Sequence, residues 1–139
     1  MKIYYFAYLV LTMAFVFMII IIYWLVAPYK IITFNTKEHK IITPIVKRGE
    51  NLAYITNRCK LLPLIAKVSR VFLNDLEFPV PGFTYSKVDI GCLVEPIYYT
   101  VPKELPLGSY QLKTIYHYFP NPIRNIDYIM YTERFEVIE

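Results

Sequence analysis

The N-terminal part of the chain is one long apolar stretch, which restricts the possible folds more than any other feature. From Ile3 to Ala27 the sequence reads IYYFAYLVLTMAFVFMIIIIYWLVA, with no charged side chain and with Thr12 as its one strongly polar side chain. An α-helix of this length, at about 1.5 Å per residue, reaches past the roughly 30 Å hydrocarbon core of a bilayer. Tyr and Trp near both ends suit the two headgroup levels. The stretch predicts a transmembrane helix over residues 1–28.

A cleaved secretion signal is the alternative interpretation of the same stretch. Signal peptides combine a shorter apolar region with small residues at the cleavage site. Here the apolar region is long and ends in the run WLVAP at residues 24–28, without an A-x-A pattern. The sequence therefore favours an uncleaved anchor and a single-pass membrane protein.

Two features of the sequence give opposite predictions for the orientation of this anchor. Lys2 lies on one flank, whereas Lys30, Lys37 and Lys40 follow on the other, and this count taken literally places the rest of the chain in the cytoplasm. The two cysteines favour the other side, because a disulfide persists in an oxidising compartment. We predict an extracytoplasmic domain.

The remainder of the chain has the size and composition of one β-rich domain. Residues 29–40 (YKIITFNTKEHK) are polar enough to predict a stalk, with a short strand at 31–34 as an option. Tyr, Ile, Val, Phe and Pro then dominate, and these residues favour strands and corners over helices. Residues 41–139 are predicted to form a β-sandwich, with strands at 41–46, 52–60, 65–74, 87–100, 110–118 and 128–138.

Alternation of polar and apolar residues predicts which way these strands face. Tyr110, Leu112 and Thr114 share one side of the fifth strand, which is typical of a half-buried antiparallel strand. In the second strand the same rule places Cys59 with Ala53 and Ile55 on the inner face, and Cys92 is likewise assigned to the inside. An open barrel is the alternative to a sandwich.

A turn before the fifth strand resembles a known corner. The run VPKELPLGSY at residues 101–110 delivers Tyr110 from a Pro-rich turn to the start of a strand, as in the tyrosine corner of immunoglobulin-like domains. The run LPLGSYQL at 105–112, with YFPNPIR at 118–124 and YTERFEV at 131–137, is similar to the final strands of small membrane-anchored immunoglobulin-like proteins of tailed bacteriophages. The resemblance covers about the last quarter of the chain. It implies an all-β sandwich of the immunoglobulin-like or fibronectin type III-like class and a setting in the bacterial inner membrane.

The chain offers few residues for catalysis or cofactor binding. It contains no G-x-S-x-G, H-E-x-x-H, G-x-x-x-x-G-K or G-x-G-x-x-G motif. His39, in the predicted stalk, and His117, on a predicted polar face, are expected to be solvated. Cys59 and Cys92 are not in a C-x-x-C pair, so we predict no metal and no cofactor. The scattered charge, a formal net charge of +4, gives no nucleic-acid footprint, and no small-molecule substrate is evident.

The cysteines and two loops are the candidate functional features. Cys59 and Cys92 form either one disulfide or two buried thiols, and a bridge would stabilise the fold by roughly 3–4 kcal/mol in the chain-entropy model. The loops 74–85 and 119–127 are the predicted recognition surface, because loops carry most binding residues. Their candidate residues are Phe78, Phe83, Ile123 and Arg124. The alternative is that these apolar side chains fold back onto the sandwich.

Together these features predict a non-enzymatic interaction module. The bilayer is one partner, and another protein at the membrane is the other. The phage resemblance implies that this second partner is a host envelope protein. A structural component of a membrane-containing virion or of a membrane complex is the alternative.

Overall fold

The structure is a computed structural model that describes the backbone of residues 2–139 and the side chains of residues 4–139. Met1, where the predicted transmembrane segment begins, and the side chain of Lys2, which enters the orientation count, lie outside the described residues. The chain forms one N-terminal helix followed by strands that pack as a β-sandwich.

The helix α1 extends from Lys2 to Val26. Pro28 follows its end, because proline cannot continue the hydrogen-bond ladder. From Tyr4 to Val26 the helix is long and apolar enough to cross a membrane, and none of this apolar surface is buried against the domain. The hydroxyl of Thr12 donates to the carbonyl of Tyr8 at 2.5 Å, so this polar side chain is satisfied within the helix. The prediction of one apolar N-terminal helix is confirmed.

Eleven strands follow among residues 27–139. They are β1 (Ile32–Phe34), β2 (Glu38–Ile41), β3 (Ile45–Lys47), β4 (Asn51–Lys60), β5 (Lys67–Leu73), β6 (Glu77–Pro79), β7 (Thr84–Tyr85), β8 (Gly91–Thr100), β9 (Gly108–Asn121), β10 (Arg124–Thr132) and β11 (Phe135–Ile138).

The strands form two layers, each organised around one long strand. In sheet one, β4 pairs with β8 along one edge and with β1 and β2 along the other. In sheet two, β9 pairs with β5 on one edge and with β10 and β11 on the other, while β6 and β7 extend the sheet beyond β5. The short strand β3 runs parallel to β11. Because β2 pairs with both β4 and β10, it joins the two sheets along one side.

Two apolar clusters fill the space between the sheets. The distal core lies far from α1 and consists of Val46, Leu52, Tyr54, Phe72, Val101, Leu105, Tyr110, Leu112, Phe135 and Val137. The proximal core lies beside the end of α1 and consists of Ile31, Ile32, Ala66, Val68, Tyr116 and Tyr118. Both clusters combine residues of the two sheets, so the sheets pack face to face.

A polar layer separates the two cores. His39, Thr56 and Thr114 are fully buried, and their side-chain polar atoms have no hydrogen-bond partner among the described residues. The ring of His39 stacks on Tyr54 at 5.5 Å and contacts the edge of Phe34 at 5.7 Å between ring centres. The interior of the sandwich is therefore polar between the distal core and the proximal core.

The predicted stalk at residues 29–40 is wrong. Ile31 and Ile32 are buried in the proximal core, and β1 and β2 are strands of the sheets. His39, which the sequence predicts to be solvated, is buried because Glu38 and Lys40 take the outward positions on either side of it. The domain therefore begins immediately after the helix.

Tyr110 lies at the corner where the chain enters β9. Its hydroxyl donates to the carbonyl of Pro106 at 2.9 Å, four residues back along the chain. Its ring is buried in the distal core, 6.2 Å from Phe72 and 6.0 Å from Phe78 between ring centres. The side chain therefore ties the turn before β9 to the core.

Replacing Tyr110 with Phe should lower the free energy of unfolding by about 1 kcal/mol, the net value of one hydrogen bond. The ring contacts remain, so the change isolates the hydroxyl. The measurement is denaturant unfolding of the full chain in detergent micelles. Tyr131→Phe, on the exposed face of sheet two, is the matched control and should leave the midpoint unchanged. Equal midpoints for the two variants would contradict a structural role for the Tyr110 hydroxyl.

His39 should make the domain sensitive to acid. Burial, with a smaller contribution from the positive charge of Arg58, lowers the pKa of His39 from 6.5 to about 4. Below pH 6.5 the unfolded chain therefore binds a proton at His39, whereas the folded chain does not bind it until about pH 4. The contribution of His39 to the free energy of unfolding is fully present above pH 6.5 and is lost as the pH falls from 6.5 to about 4.

We expect a loss of about 2 kcal/mol between pH 7 and pH 5, a range in which most carboxylates stay ionised. His39→Phe keeps an aromatic ring against Tyr54 and has no proton to bind, so its unfolding free energy should change little over the same range. The measurement is denaturant unfolding at both pH values. A wild-type loss no larger than that of the variant would refute the assignment to His39.

Candidate functional site

The end of α1 is hydrogen-bonded to the hairpin between β9 and β10. The amide of Asn121 donates to the carbonyl of Trp24 at 3.0 Å. The Nη1 atom of Arg124 donates to the carbonyls of Leu25 at 3.1 Å and Ala27 at 2.5 Å. The last carbonyls of a helix have no partner within it, so these side chains cap the helix. A cation at this position also interacts favourably with the negative end of the helix dipole.

The segment after the helix is held by the same hairpin. The phenol oxygen of Tyr128 accepts a hydrogen bond from the backbone N–H of Ile31 at 3.3 Å and donates to the carbonyl of Tyr29 at 3.4 Å. The guanidinium of Arg124 also lies 5.7 Å from the centre of the Tyr29 ring. The connection between helix and domain is therefore a packed and hydrogen-bonded junction.

A cleft opens between the sheets on the side opposite β2, where the edge strand β8 faces β5 and β7. Its volume is about 340 Å³, within the range of small-ligand pockets. Tyr54 and Tyr116 form part of its inner wall, and Tyr85 and Tyr98 lie at its exposed rim. Tyr54, which stacks on His39, therefore lies between the polar layer and an opening to solvent on this side.

The charged side chains of the cleft are mostly cationic. Arg58, Arg70 and Lys87 line it, against the single carboxylate of Glu95. Arg58 pairs with Glu95 at 2.7 Å with both side chains largely buried, whereas Lys87 lies 3.7 Å from the same carboxylate and is exposed. Nearby, the ammonium of Lys60 is bonded to the carbonyl of Lys87, and burial is the main cause that lowers its pKa. The cleft carries an excess of positive charge.

Arg70 is held in a fixed orientation. Its Nη1 donates to the hydroxyl of Thr84 at 3.0 Å, and its guanidinium carbon lies 4.8 Å from the centre of the Tyr99 ring. Its Nε is inaccessible to solvent and has no hydrogen-bond partner within residues 2–139. A guanidinium restrained in this way is preorganised to bind a carboxylate or phosphate.

Three side chains on the outer face of sheet two form a second polar arrangement. The Oγ of Ser69 lies 3.0 Å from Nε2 of His117, and Nδ1 of His117 lies 2.8 Å from Oδ1 of Asp127. This is the order in which an aspartate and a histidine activate a serine nucleophile. The sequence places His117 on a polar face but gives no sign of its neighbours, because strand register decides that Asp127 stands opposite it.

The three side chains lie on the outer face of sheet two, away from the residues that line the cleft. Hydrolysis by a serine needs a substrate pocket and hydrogen-bond donors aimed at the developing oxyanion. Ser69, His117 and Asp127 lie on an open sheet face, and none of them lines the cleft. We interpret them as a surface hydrogen-bond network. Covalent labelling of Ser69 by a fluorophosphonate probe, lost in His117→Ala, would overturn this interpretation.

Cys59 and Cys92 are joined by a disulfide, one of the two options that the sequence leaves open. They are directly opposite each other in the β4–β8 pair, with 3.9 Å between their α-carbons. The prediction that they face inward is wrong. On β4 it is Tyr54, Thr56 and Lys60 that are buried, so Cys59 lies on the outer side of sheet one, and Cys92 is exposed.

The predicted recognition residues do not form one surface. Phe78 lines an apolar groove of about 350 Å³ with Val80 and Leu105, at the end of the domain far from α1. Phe83 is exposed, packs against Tyr85 and lies 4.0 Å from the Nζ of Lys67. Arg124 is bound to the helix end and Ile123 is exposed beside it. Phe78 and the pair Ile123 and Arg124 therefore lie at opposite ends of the domain, whereas Phe83 lies beside β5.

Within the described residues, no group of three or more His, Cys, Asp and Glu side chains could hold a metal ion.

Comparisons with known proteins give a general likeness of fold. No protein-family model matches the sequence, and no curated protein matches it. The structure is similar to a Niemann-Pick type C2 protein from Japanese carpenter ant, with a TM-score of 0.45, 10% identity and coverage of 78% of this chain and 99% of that one. It is also similar to the sporulation control protein Spo0M from Bacillus subtilis, with a TM-score of 0.41, 12% identity and coverage of 80% of this chain. The match spans about half of Spo0M, 51% of its chain. We take no functional conclusion from these two likenesses.

Proposed function

We propose that the protein is a single-pass membrane protein whose β-sandwich is held at the bilayer surface and binds another protein without catalysis. The observation that carries this proposal is the capped end of α1. Asn121 and Arg124 bond to carbonyls of Trp24, Leu25 and Ala27, so the helix end is part of the folded domain.

This junction supports an anchor over a cleaved signal. Cleavage near Ala27 would remove the carbonyl groups that Arg124 binds and would free the chain just before the buried Ile31. The apolar surface of α1 is exposed along its length, and lipid is the environment that stabilises such a surface.

We further propose that the sandwich belongs to the immunoglobulin-like class. The hydrogen bond from Tyr110 to the carbonyl of Pro106 supports this assignment, as does the arrangement of β4 and β8 against β5, β9 and β10. Two features differ from antibody domains. The disulfide links neighbouring strands of one sheet instead of bridging the two sheets, and the single Trp of the chain, Trp24, lies in α1.

The cleft between the sheets is the proposed recognition site for an acidic side chain of the partner. Three cations face one carboxylate there, and because Glu95 pairs with Arg58, Arg70 has no carboxylate partner among the residues that line the cleft. Arg70 is restrained by Thr84 and Tyr99, so binding through it costs little conformational entropy. The rim tyrosines Tyr85 and Tyr98 add contact area of the kind that interfaces favour.

The phage resemblance supplies a hypothesis for the setting. A phage-encoded module of this kind would act in the envelope of the infected bacterium, and its partner would be a host envelope protein. The disulfide supports an extracytoplasmic domain, because thiols are kept reduced in the cytosol. The count of Lys residues beside the helix opposes this orientation.

Thiol trapping in native membranes decides the compartment. If the domain is extracytoplasmic, protein unfolded in the presence of a thiol-blocking reagent should show no alkylation of Cys59 or Cys92 until a reductant is added. The measurement is the mass of the alkylated protein. Alkylation of both cysteines without reductant would place the domain in the cytoplasm.

Site-specific photocrosslinking tests the proposed recognition site. A benzophenone side chain in place of Tyr98, which is 66% exposed at the rim of the cleft, should yield an adduct with a defined partner in native membranes. The matched control is Leu76, which is 67% exposed and does not line the cleft. Arg70→Gln should reduce the Tyr98 adduct several-fold. Equal adducts from both positions, or no effect of Arg70→Gln, would contradict recognition through the cleft. The identity of the adduct separates a host envelope protein from a component of a viral particle.

A further inference from the structure

The β9–β10 hairpin has a position that the binding role does not explain. Its tip, residues 119–124, contacts the last turn of α1, because Asn121 reaches the carbonyl of Trp24 and Arg124 reaches that of Leu25. In a spanning helix, Tyr and Trp near the end mark the headgroup level. With Trp24 at that level, the hairpin tip lies at the same depth.

The tip exposes apolar side chains at this depth. Phe119 is 60% exposed and Ile123 is 50% exposed. Exposed apolar residues are common on protein surfaces when they occur singly, but a group of them at one end marks a contact surface.

Other apolar side chains extend the same end of the domain. The backbone N–H of Leu61 donates to the carbonyl of Ile31 at 2.8 Å, which places the β4–β5 loop beside the end of the helix. Leu61 and Ile65 in this loop are exposed. Ile90 is exposed just before β8, whose first residue pairs with the last residue of β4. Three separate segments thus present apolar side chains toward the side from which α1 leaves.

Basic and acidic side chains are mixed at this end. Lys30 and Lys67 are exposed there, and Asp89 and Asp127 are the nearby acidic side chains. Basic side chains next to a membrane helix are attracted to anionic headgroups, by about 1 kcal/mol for each charge. Apolar side chains flanked by lysines are typical of segments that lie in the interfacial layer.

We propose that the tip of the β9–β10 hairpin, with Phe119 and Ile123, is immersed in the headgroup layer of the bilayer and fixes the orientation of the domain. This inference rests on the proposed function, since it requires α1 to span the membrane. The occupant of the apolar end is lipid because hydrogen bonds hold this end against the helix at the point where the helix leaves the bilayer. Arg124 positions the tip by capping α1.

Nitroxide accessibility in the full chain tests the proposal. Single cysteines replace Ile123 at the tip, Leu107 at the opposite end of β9 and Ile19 in α1; the native cysteines are joined to each other and do not take the label. Leu107 is 52% exposed, which matches Ile123, and the 14 residues of β9 at about 3.3 Å each place it some 45 Å away. The labelled proteins are reconstituted in vesicles of phosphatidylethanolamine and phosphatidylglycerol. Collision rates with oxygen, which enters lipid, and with a water-soluble nickel complex are then measured.

We expect the ratio of nickel to oxygen collisions at position 123 to be several-fold lower than at position 107. Adding Arg124→Gln to the Ile123 label should raise this ratio, because the tip is then released from the helix end. Equal ratios at positions 123 and 107 would overturn the proposal, and so would protection of position 123 from both reagents, which would mean that protein covers it.

The label at position 19 distinguishes a failure of the proposed anchor from a failure of the proposed immersed tip. Nickel access there would refute the anchor itself, whereas a lipid-exposed position 19 with a solvent-exposed position 123 would refute the immersed tip alone.

Discussion

The arrangement of the whole molecule depends on the backbone carbonyls at the end of α1. The last carbonyl groups of a helix have no partner within it, and here the side chains of Asn121 and Arg124 bind those of Trp24, Leu25 and Ala27. Because both side chains belong to one hairpin, the cap also determines which end of the sandwich lies beside the helix. β9 then extends from this junction to the distal core. The position of β9 in turn sets the positions of the strands that pair with it, which are β5, β10 and β11.

The polar layer is the second determinant of the fold. It divides the interior into a distal and a proximal core and borders the cationic cleft at the open side of the sandwich. Burying His39 and pairing Arg58 with Glu95 inside a small domain sacrifices stability that an apolar interior would provide. The recognition site proposed for the cleft would account for this composition, because a charged cleft needs polar residues behind it.

The sequence predicted where strands occur better than it predicted which side of each strand faces the core. β9 follows the alternation rule because its inward side chains, such as Leu112 and Tyr116, are those of an ordinary core. The rule fails on β4, where Thr56 and Arg58 turn inward toward the polar layer and Cys59 turns outward. The stalk prediction fails for a related reason. In the polar run of β2, the side chain of His39 is buried inside the sandwich, whereas those of Glu38 and Lys40 are exposed. The cleft, the junction and the Ser69 network all join residues distant in sequence, and their register cannot be inferred from composition.

The pairing of β1, β2 and β3 would have a mechanical consequence for the anchored protein that we propose. All three strands follow α1. β1 and β3 are paired over their whole length with β4 and β11, and β2 is paired with β10 at Glu38 and His39. A pull on α1 along the axes of these strands would load the ladder bonds in shear, because those bonds lie across the strands. The bonds of one strand would then share the load and would not open one at a time. The cap on α1 and the Cys59–Cys92 bridge lie at the same end and reinforce the point where this tension enters the domain.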